Sequence, residues 1–137
     1  PERDLFEHFA KRITYPLELR EIEEKKKLKP AALKAREAEL LLAQVSAGAV
    51  IVALHEGGKT LSSTAFAAKL GNWRDQARDV AFLIGGADGL DEAVIKRADW
   101  VMGLGTMTWP HLLVRGMLTE QIYRAQCILA GHPYHRE

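Results

Sequence analysis

The chain has 137 residues, of which 47% are hydrophobic and 27% charged, and its formal net charge is +1. This balance is typical of one folded domain with a sizeable core, expected here over 1–137. It excludes a disordered polyelectrolyte and a surface that is basic throughout. No apolar run reaches the roughly 18 residues that a membrane-spanning helix needs, and a single cysteine, Cys127, fits a reducing cytoplasm.

Helices and strands alternate along the predicted chain. Helical spacing of apolar residues covers five segments: 1–13, 30–48, 62–73, 91–98 and 110–130. Strand patterns cover four segments: 17–23, in which apolar residues alternate with charges, and the apolar runs 49–54, 80–84 and 100–104. The predicted fold class is α/β, with a mostly parallel sheet and flanking helices. The last helix is apolar on more than one side, which favours a second buried face against a partner chain.

Two glycine-containing connections follow predicted strands. The segment Gly85-Gly86-Ala87-Asp88-Gly89 comes directly after 80–84, at the position where open α/β sheets bind ligands and where glycines let a ligand approach the backbone. The segment 104–111 leads into a helix that begins at Pro110, so its amides lie near a helix N-terminus. Each segment is either a ligand-binding loop or an ordinary connection, and these residues alone leave both interpretations open.

A third segment, 53–60, ends in Gly-Lys-Thr as a phosphate-binding P-loop does. It has Ala53 where that motif has its first glycine, and no aspartate that could hold magnesium ends the strand 80–84. We expect a turn at Gly57-Gly58 with a solvated Lys59, and a P-loop nucleotide-binding protein stays an alternative. The five histidines show no metal-ligand spacing, so no metal is expected.

The C-terminal segment is rich in side chains that can take part in binding or catalysis. Two imidazoles, a phenol, a guanidinium and a carboxylate lie within the last six residues, 132–137. Chain ends usually fray in water, so this concentration indicates part of a functional site. The competing interpretation is that the tail only closes a pocket.

Together these segments resemble the RlmH-type large-subunit rRNA pseudouridine N3-methyltransferases of the SPOUT class. The resemblance is carried by the segments 83–89, 107–115, 120–125 and 132–137. Leu54, Gly58-Lys59 and 61–63 are similar to the segment that opens the cofactor pocket of that family. The family begins with a further strand, expected to be missing before the first helix here, and has an acidic residue where this chain has His55.

The resemblance implies a trefoil knot near the C-terminus, a cytoplasmic homodimer and bound S-adenosylmethionine. The implied reaction is methyl transfer to N3 of a pseudouridine in 23S rRNA, with the assembled ribosome as partner. The residues implied to bind the cofactor are Leu54, Gly85, Leu104, Gly105, Thr106, Met107, Thr108 and Trp109. The alternative function is a non-catalytic RNA-binding or ribosome-assembly module.

Candidate residues for the chemistry follow from the same resemblance, and candidate residues for RNA binding follow from a cluster of positive charge. Removal of the N3 proton needs a base, and His135 and Tyr134 are the candidates for that base or for a group that orients it. Arg115 and Arg136 are the candidates for holding a phosphate or the carbonyls of the target base. The expected outer contacts on the RNA are four lysines: Lys25, Lys26, Lys27 and Lys29.

Overall fold

The structure is a computed structural model, which describes residues 1–22, 24, 26–86 and 88–136. Within these residues the chain forms helices and strands in a mixed order. They are α1 (Glu2–Ala10), α2 (Pro30–Ala43), β1 (Val50–Lys59), α3 (Ser63–Asp75), β2 (Val80–Leu83), α4 (Glu92–Arg97), β3 (Trp100–Met102) and α5 (His111–Ala130). In the part of the chain that the structure describes, every helix is too short or too polar to cross a membrane.

The chain packs as two compact units whose sequences interleave. The helical unit comprises Pro1–Glu18, Leu61–Ala77 and Trp109–Glu137, and the sheet unit comprises Leu19–Thr60 and Arg78–Thr108. The helical unit therefore contains α1, α3 and α5, whereas the sheet unit contains the strands with α2 and α4.

The sheet unit is built on three parallel strands in the order β2-β1-β3. Its central strand is buried from Val50 to Leu54, as expected for a strand covered on both faces. The α/β class with a parallel sheet is thus confirmed. The core of this unit consists of Ala38, Ile51, Ala53, Leu83, Leu90 and Val94.

The central strand β1 is interrupted by a bulge of four residues, 55–58, called here the β1 bulge. Leu54 and Lys59 both pair with Met102 of β3, so the residues between them have no partner in this ladder. Gly58 sits so close to β3 that a Cβ atom on it would lie 2.8 Å from the carbonyl carbons of Val101 and Met102. The prediction that the strand ends before a turn at Gly57-Gly58 was therefore wrong, because the chain resumes pairing after the bulge.

The helical unit is organised around α5, against which both α1 and α3 pack. Gly116 allows the close approach of α1, since a Cβ atom there would lie 2.6 Å from Cδ2 of Leu5. The predicted caps are confirmed: the amide of Ala65 donates to the Ser62 hydroxyl over 3.1 Å, and α5 ends at Gly131 with φ of 72°. The start of the C-terminal tail is thereby fixed to the end of α5.

Two sequence predictions for the sheet unit were wrong. No strand forms over the described residues 17–22, where Leu17 and Leu19 remain 42% and 43% exposed. Alternation of leucines with charges is compatible with an extended surface segment as well as with a strand. Arg20 holds this surface segment in place by donating to the carbonyl oxygen of Gln44 over 3.2 Å. The helix predicted over 30–48 ends at Ala43, and the glycine at position 48 lies in the following turn with φ of 80°.

Candidate functional site

The carboxyl ends of the three parallel strands meet at one edge of the sheet unit. Leu54 lies at the last paired position of β1 before the bulge, and Gly85 and Leu104 each follow a neighbouring strand by two residues. Open α/β sheets bind ligands at this edge. Three predicted cofactor-binding residues from separate parts of the sequence are thus brought together there.

The connection after β2 folds tightly back on itself. A Cβ atom on Gly85 would lie 2.6 Å from the amide nitrogen of Leu90 and closer still to the carbonyl carbon of Gly89. The amide of Gly89 donates to the carbonyl of Gly86 over 2.9 Å, and Ala87 between them lies outside the described residues. The turn itself therefore requires a glycine at position 85, because its own backbone fills the space that a side chain would take.

The connection after β3, residues 104–108, presents its backbone and small side chains to solvent. Gly105 has φ of 103° and nothing within 4 Å of the place a Cβ atom would take. Met107 is 70% exposed, and Thr106 and Thr108 are exposed beside it. Open space beside a glycine, flanked by a flexible thioether and hydroxyls, can receive a flat, partly polar group such as an adenosine. The residues of this sheet edge therefore fit the cofactor that the family resemblance implies.

The β1 bulge contacts this connection directly. The hydroxyl of Thr108 donates to the carboxylate of Glu56, and the amide of Gly103 donates to the carbonyl of Lys59 over 3.0 Å. His55 shapes the bulge, because its Nδ1 accepts from the amide of Gly57 over 2.9 Å. Sequence reasoning missed Glu56, since only the fold brings it beside a residue 52 positions away. The sequence signal that could have identified it is an acidic residue directly before the pair Gly57-Gly58.

In the helical unit, an ion pair on α5 holds the C-terminal tail. Arg124 donates from Nε and Nη2 to the two carboxylate oxygens of Glu120, both over 2.9 Å, and its Nη1 lies 3.1 Å from Nδ1 of His135. The same guanidinium lies over the ring of Tyr134 at 4.8 Å, and that ring meets Tyr123 edge to face at 4.8 Å. These five residues are called the tail cluster.

The tail cluster is a half-buried and electrostatically paired site. The side chains of Arg124 and Glu120 are only 22% and 20% exposed, and the hydrogen bonds that Arg124 donates to Glu120 raise the pKa of Arg124 above its usual value. Burial raises the pKa of Tyr134, so its phenol keeps its proton at neutral pH. Tyr134 can thus donate a hydrogen bond, whereas a role as proton acceptor is disfavoured.

Structure brings together two of the four predicted catalytic residues, His135 and Tyr134, and adds Glu120 and Arg124 to them. The guanidinium of Arg115 lies 5.6 Å from the ring of Phe6 in the same unit, and Arg136 is exposed. Trp109, the last predicted cofactor residue, is 39% exposed in the helical unit. Among the residues described, no three potential ligands form a metal-binding group.

Comparison with known proteins decides the class of this site. Residues 1–135 match a family model described as "Predicted SPOUT methyltransferase". The chain belongs to the SPOUT methyltransferase family. Membership confirms the enzyme class that the sequence predicts. The P-loop alternative was wrong on geometric grounds too, since Lys59 lies within a strand and α3 begins only at Ser63.

Several relatives of the SPOUT chain carry one name, "Ribosomal RNA large subunit methyltransferase H". The protein of that name from Rhodospirillum centenum is 61% identical over 137 residues, covering 99% of this chain and 90% of the relative. The one from Paramagnetospirillum magneticum is 56% identical with the same coverage. The one from Gluconacetobacter diazotrophicus is 50% identical over 135 residues, covering 98% of this chain and 88% of the relative.

Proposed function

We propose that the protein transfers the methyl group of S-adenosylmethionine to N3 of a pseudouridine in 23S rRNA of the assembled ribosome. The observation that carries this proposal is that two glycine-containing connections lie at the carboxyl edge of a parallel sheet, in a methyltransferase whose relatives bear rRNA methyltransferase names. A non-catalytic RNA-binding module would need no such edge. A cytoplasmic location follows from this substrate.

Residues of the sheet edge would hold the cofactor, whose sulfonium supplies the methyl group. Leu54 and Gly85 lie at the ends of β1 and β2, and 104–108 offers open space beside Gly105, exposed hydroxyls and the Met107 thioether. The proposed set is completed by Trp109. We further propose the C-terminal knot, the homodimer and a single functional domain over 1–137, as the family resemblance implies.

The reaction requires the target nitrogen, the methyl carbon and the departing sulfur to lie in line. Positioning supplies much of the rate of such a transfer, and handling of the N3 proton supplies the remainder. We assign the proton-handling step to His135 and Tyr134, which the tail cluster holds in a fixed arrangement. Arg115 and Arg136 are proposed to hold a phosphate or the carbonyls of the target base.

S-adenosylmethionine, or its demethylated product, is expected to raise the melting temperature of the protein, whereas ATP with magnesium is not. A ligand at about 100 times its dissociation constant adds roughly 2.7 kcal/mol to the free energy of unfolding. Scanning calorimetry with each ligand measures the shift. Stabilisation by ATP with magnesium, and none by S-adenosylmethionine, would contradict the proposed cofactor.

Replacing Lys25, Lys26, Lys27 and Lys29 by alanine is expected to weaken ribosome binding and to flatten its salt dependence. Lys26, Lys27 and Lys29 are exposed, whereas Lys25 lies outside the described residues. Each phosphate contact on single-stranded RNA adds about −0.7 to the slope of log affinity against log salt. Filter binding of ribosomes between low and moderate salt measures that slope.

The control replaces exposed lysines elsewhere, Lys11 and Lys96, and is expected to leave the slope unchanged. Cofactor affinity should stay the same in both variants, because neither set includes a residue proposed to bind the cofactor. An unchanged slope in the fourfold variant would show that the RNA binds another surface.

A further inference from the structure

The β1 bulge contacts the connection 104–108 at both ends of that connection. At its start, the amide of Gly103 donates to the carbonyl of Lys59 over 3.0 Å. At its end, the hydroxyl of Thr108 donates to the carboxylate of Glu56. All four residues belong to the sheet unit, so both contacts lie within one compact unit. The residues between them, which the family resemblance implies to bind the cofactor, are therefore held against the bulge at two points.

The backbone around Glu56 is itself fixed. Nδ1 of His55 accepts from the amide of Gly57 over 2.9 Å, so the residues on either side of Glu56 are tied to each other. The carbonyl oxygen of His55 also lies against the end of β3, since a Cβ atom on Gly103 would be 3.1 Å from it. Only the side-chain torsions of Glu56 remain to be fixed, and the hydrogen bond from Thr108 fixes them.

The contact with Thr108 matters because the connection is open around Gly105. This glycine has φ of 103°, and nothing lies within 4 Å of the place that a Cβ atom would take. Thr106 and Met107, which follow it, are exposed. Glycine loses more backbone freedom than any other residue when a segment becomes ordered. A ligand that binds a segment already ordered avoids the free-energy cost of ordering it, and its affinity is higher for that reason.

We propose that Glu56 is a positioning residue: through Thr108 it holds the connection 104–108 in the arrangement that receives S-adenosylmethionine. The inference rests on the proposed function. It deepens that function because it adds to the cofactor site a residue that acts without contacting the ligand. A carboxylate that bound the positive charge of the ligand directly would behave differently, and the two roles are separated by experiment.

Nitrogen relaxation of the free protein tests whether Glu56 orders the connection. In Glu56→Ala, the order parameters of the Thr106 and Met107 amides are expected to fall from about 0.85 toward about 0.6. Glu56→Gln keeps an oxygen that can accept from the Thr108 hydroxyl, so it should keep these values near those of the wild type. The control, Glu39→Ala, removes an exposed carboxylate of α2 in the same unit and should leave them unchanged. Unchanged order in Glu56→Ala would overturn the proposal.

Calorimetric titration measures the consequence for binding. Glu56→Ala is expected to weaken the affinity for S-adenosylmethionine and for its demethylated product by about tenfold each, the effect of losing one hydrogen bond to a charged group. Thr108→Val should cause the same loss, and the double variant should lose no more than either single variant, because both remove one contact. Glu56→Gln should stay within about threefold of wild type. Both side chains are exposed, so the free energy of unfolding without ligand should change little.

Three results would contradict this role of Glu56. Loss of affinity for S-adenosylmethionine alone, in Glu56→Gln as in Glu56→Ala, would show that the carboxylate binds the charge of the ligand, and would overturn the positioning role. Normal wild-type binding with unchanged affinity in Glu56→Ala would overturn the inference and leave the proposed function standing. If the wild-type chain binds neither ligand, the proposed cofactor is wrong and the inference falls with it.

Discussion

A chain that lacks Tyr134 to Glu137 is expected to lose at least about a hundredfold in methyl-transfer rate while it keeps its helices. The deletion removes His135 and Arg136 together with the phenol. Its structural effect is limited to the contacts that Tyr134 and His135 make with Arg124 and Tyr123, of which the edge-to-face contact of the two rings is worth about 1 kcal/mol. Single-turnover methylation of ribosomes and far-ultraviolet circular dichroism measure the two effects separately.

The matched control for this deletion is Tyr134→Phe. It keeps the ring between Tyr123 and Arg124 and removes only the hydroxyl, so the free energy of unfolding should change little. A truncated chain with full turnover would show that the tail only closes a pocket. Full turnover in both Tyr134→Phe and His135→Ala would show that neither side chain takes part in handling the proton.

Gly85→Ala is expected to cost about 1–3 kcal/mol of stability and to abolish the cofactor-induced rise in melting temperature. The added methyl group would lie 2.6 Å from the amide nitrogen of Leu90. Backbone at that distance cannot move aside without opening the turn that connects β2 to α4. Urea unfolding measures the loss of stability, and calorimetry measures the loss of binding.

Gly86→Ala provides the control one residue further along. Its added methyl group would lie 3.2 Å from Oε2 of Glu37, the end of a flexible side chain that can rotate away. The expected loss of stability is therefore well below that of Gly85→Ala. Equal losses at the two positions would mean that the turn is sensitive to any side chain, and that the close approach at Gly85 has no special importance.

Local signals in the sequence predicted the parts of the fold that depend on short-range chemistry. A serine before the apolar pattern of α3 caps that helix, and a glycine after α5 adopts the left-handed conformation that ends it. The amide of His132 closes this cap by donating to the carbonyl of Cys127 over 2.8 Å. Apolar runs likewise predicted the three strands, of which β1 is buried from Val50 to Leu54, because a strand covered on both faces has no polar positions.

Features that depend on distant contacts were not predictable in this way. The β1 bulge arises because Leu54 and Lys59 both pair with Met102, and no local pattern in 53–60 records that pairing. The segment 17–22 has the alternation of a strand but finds no neighbouring strand, so its leucines stay partly exposed. The alternation of apolar and charged residues shows which side chains share a face of the segment. It does not show whether a neighbouring strand is present to pair with it.

The candidate site was also predictable only where it depends on local sequence. Strand ends and glycine turns predicted where a ligand could approach, and the terminal histidine and tyrosine stood out by their chemistry. Glu120 and Arg124 were visible only as part of a family segment, because a glutamate and an arginine one turn apart are common on exposed helix faces. The contact of Arg124 with His135 depends on how the tail turns at Gly131, which local sequence does not reveal.

Because Met102 pairs with two residues of β1, the length of the β1 bulge is not fixed by the pairing of the strands. Because Leu54 and Lys59 take their register from the same residue of β3, pairing beyond the bulge does not depend on how many residues separate them. Within the bulge, Gly58 and the carbonyl of His55 lie close to the backbone at the end of β3, and Glu56 accepts from Thr108. A change of length over 55–57 would therefore alter the contact between the bulge and 104–108 while the pairing of Leu54 and Lys59 keeps the sheet aligned.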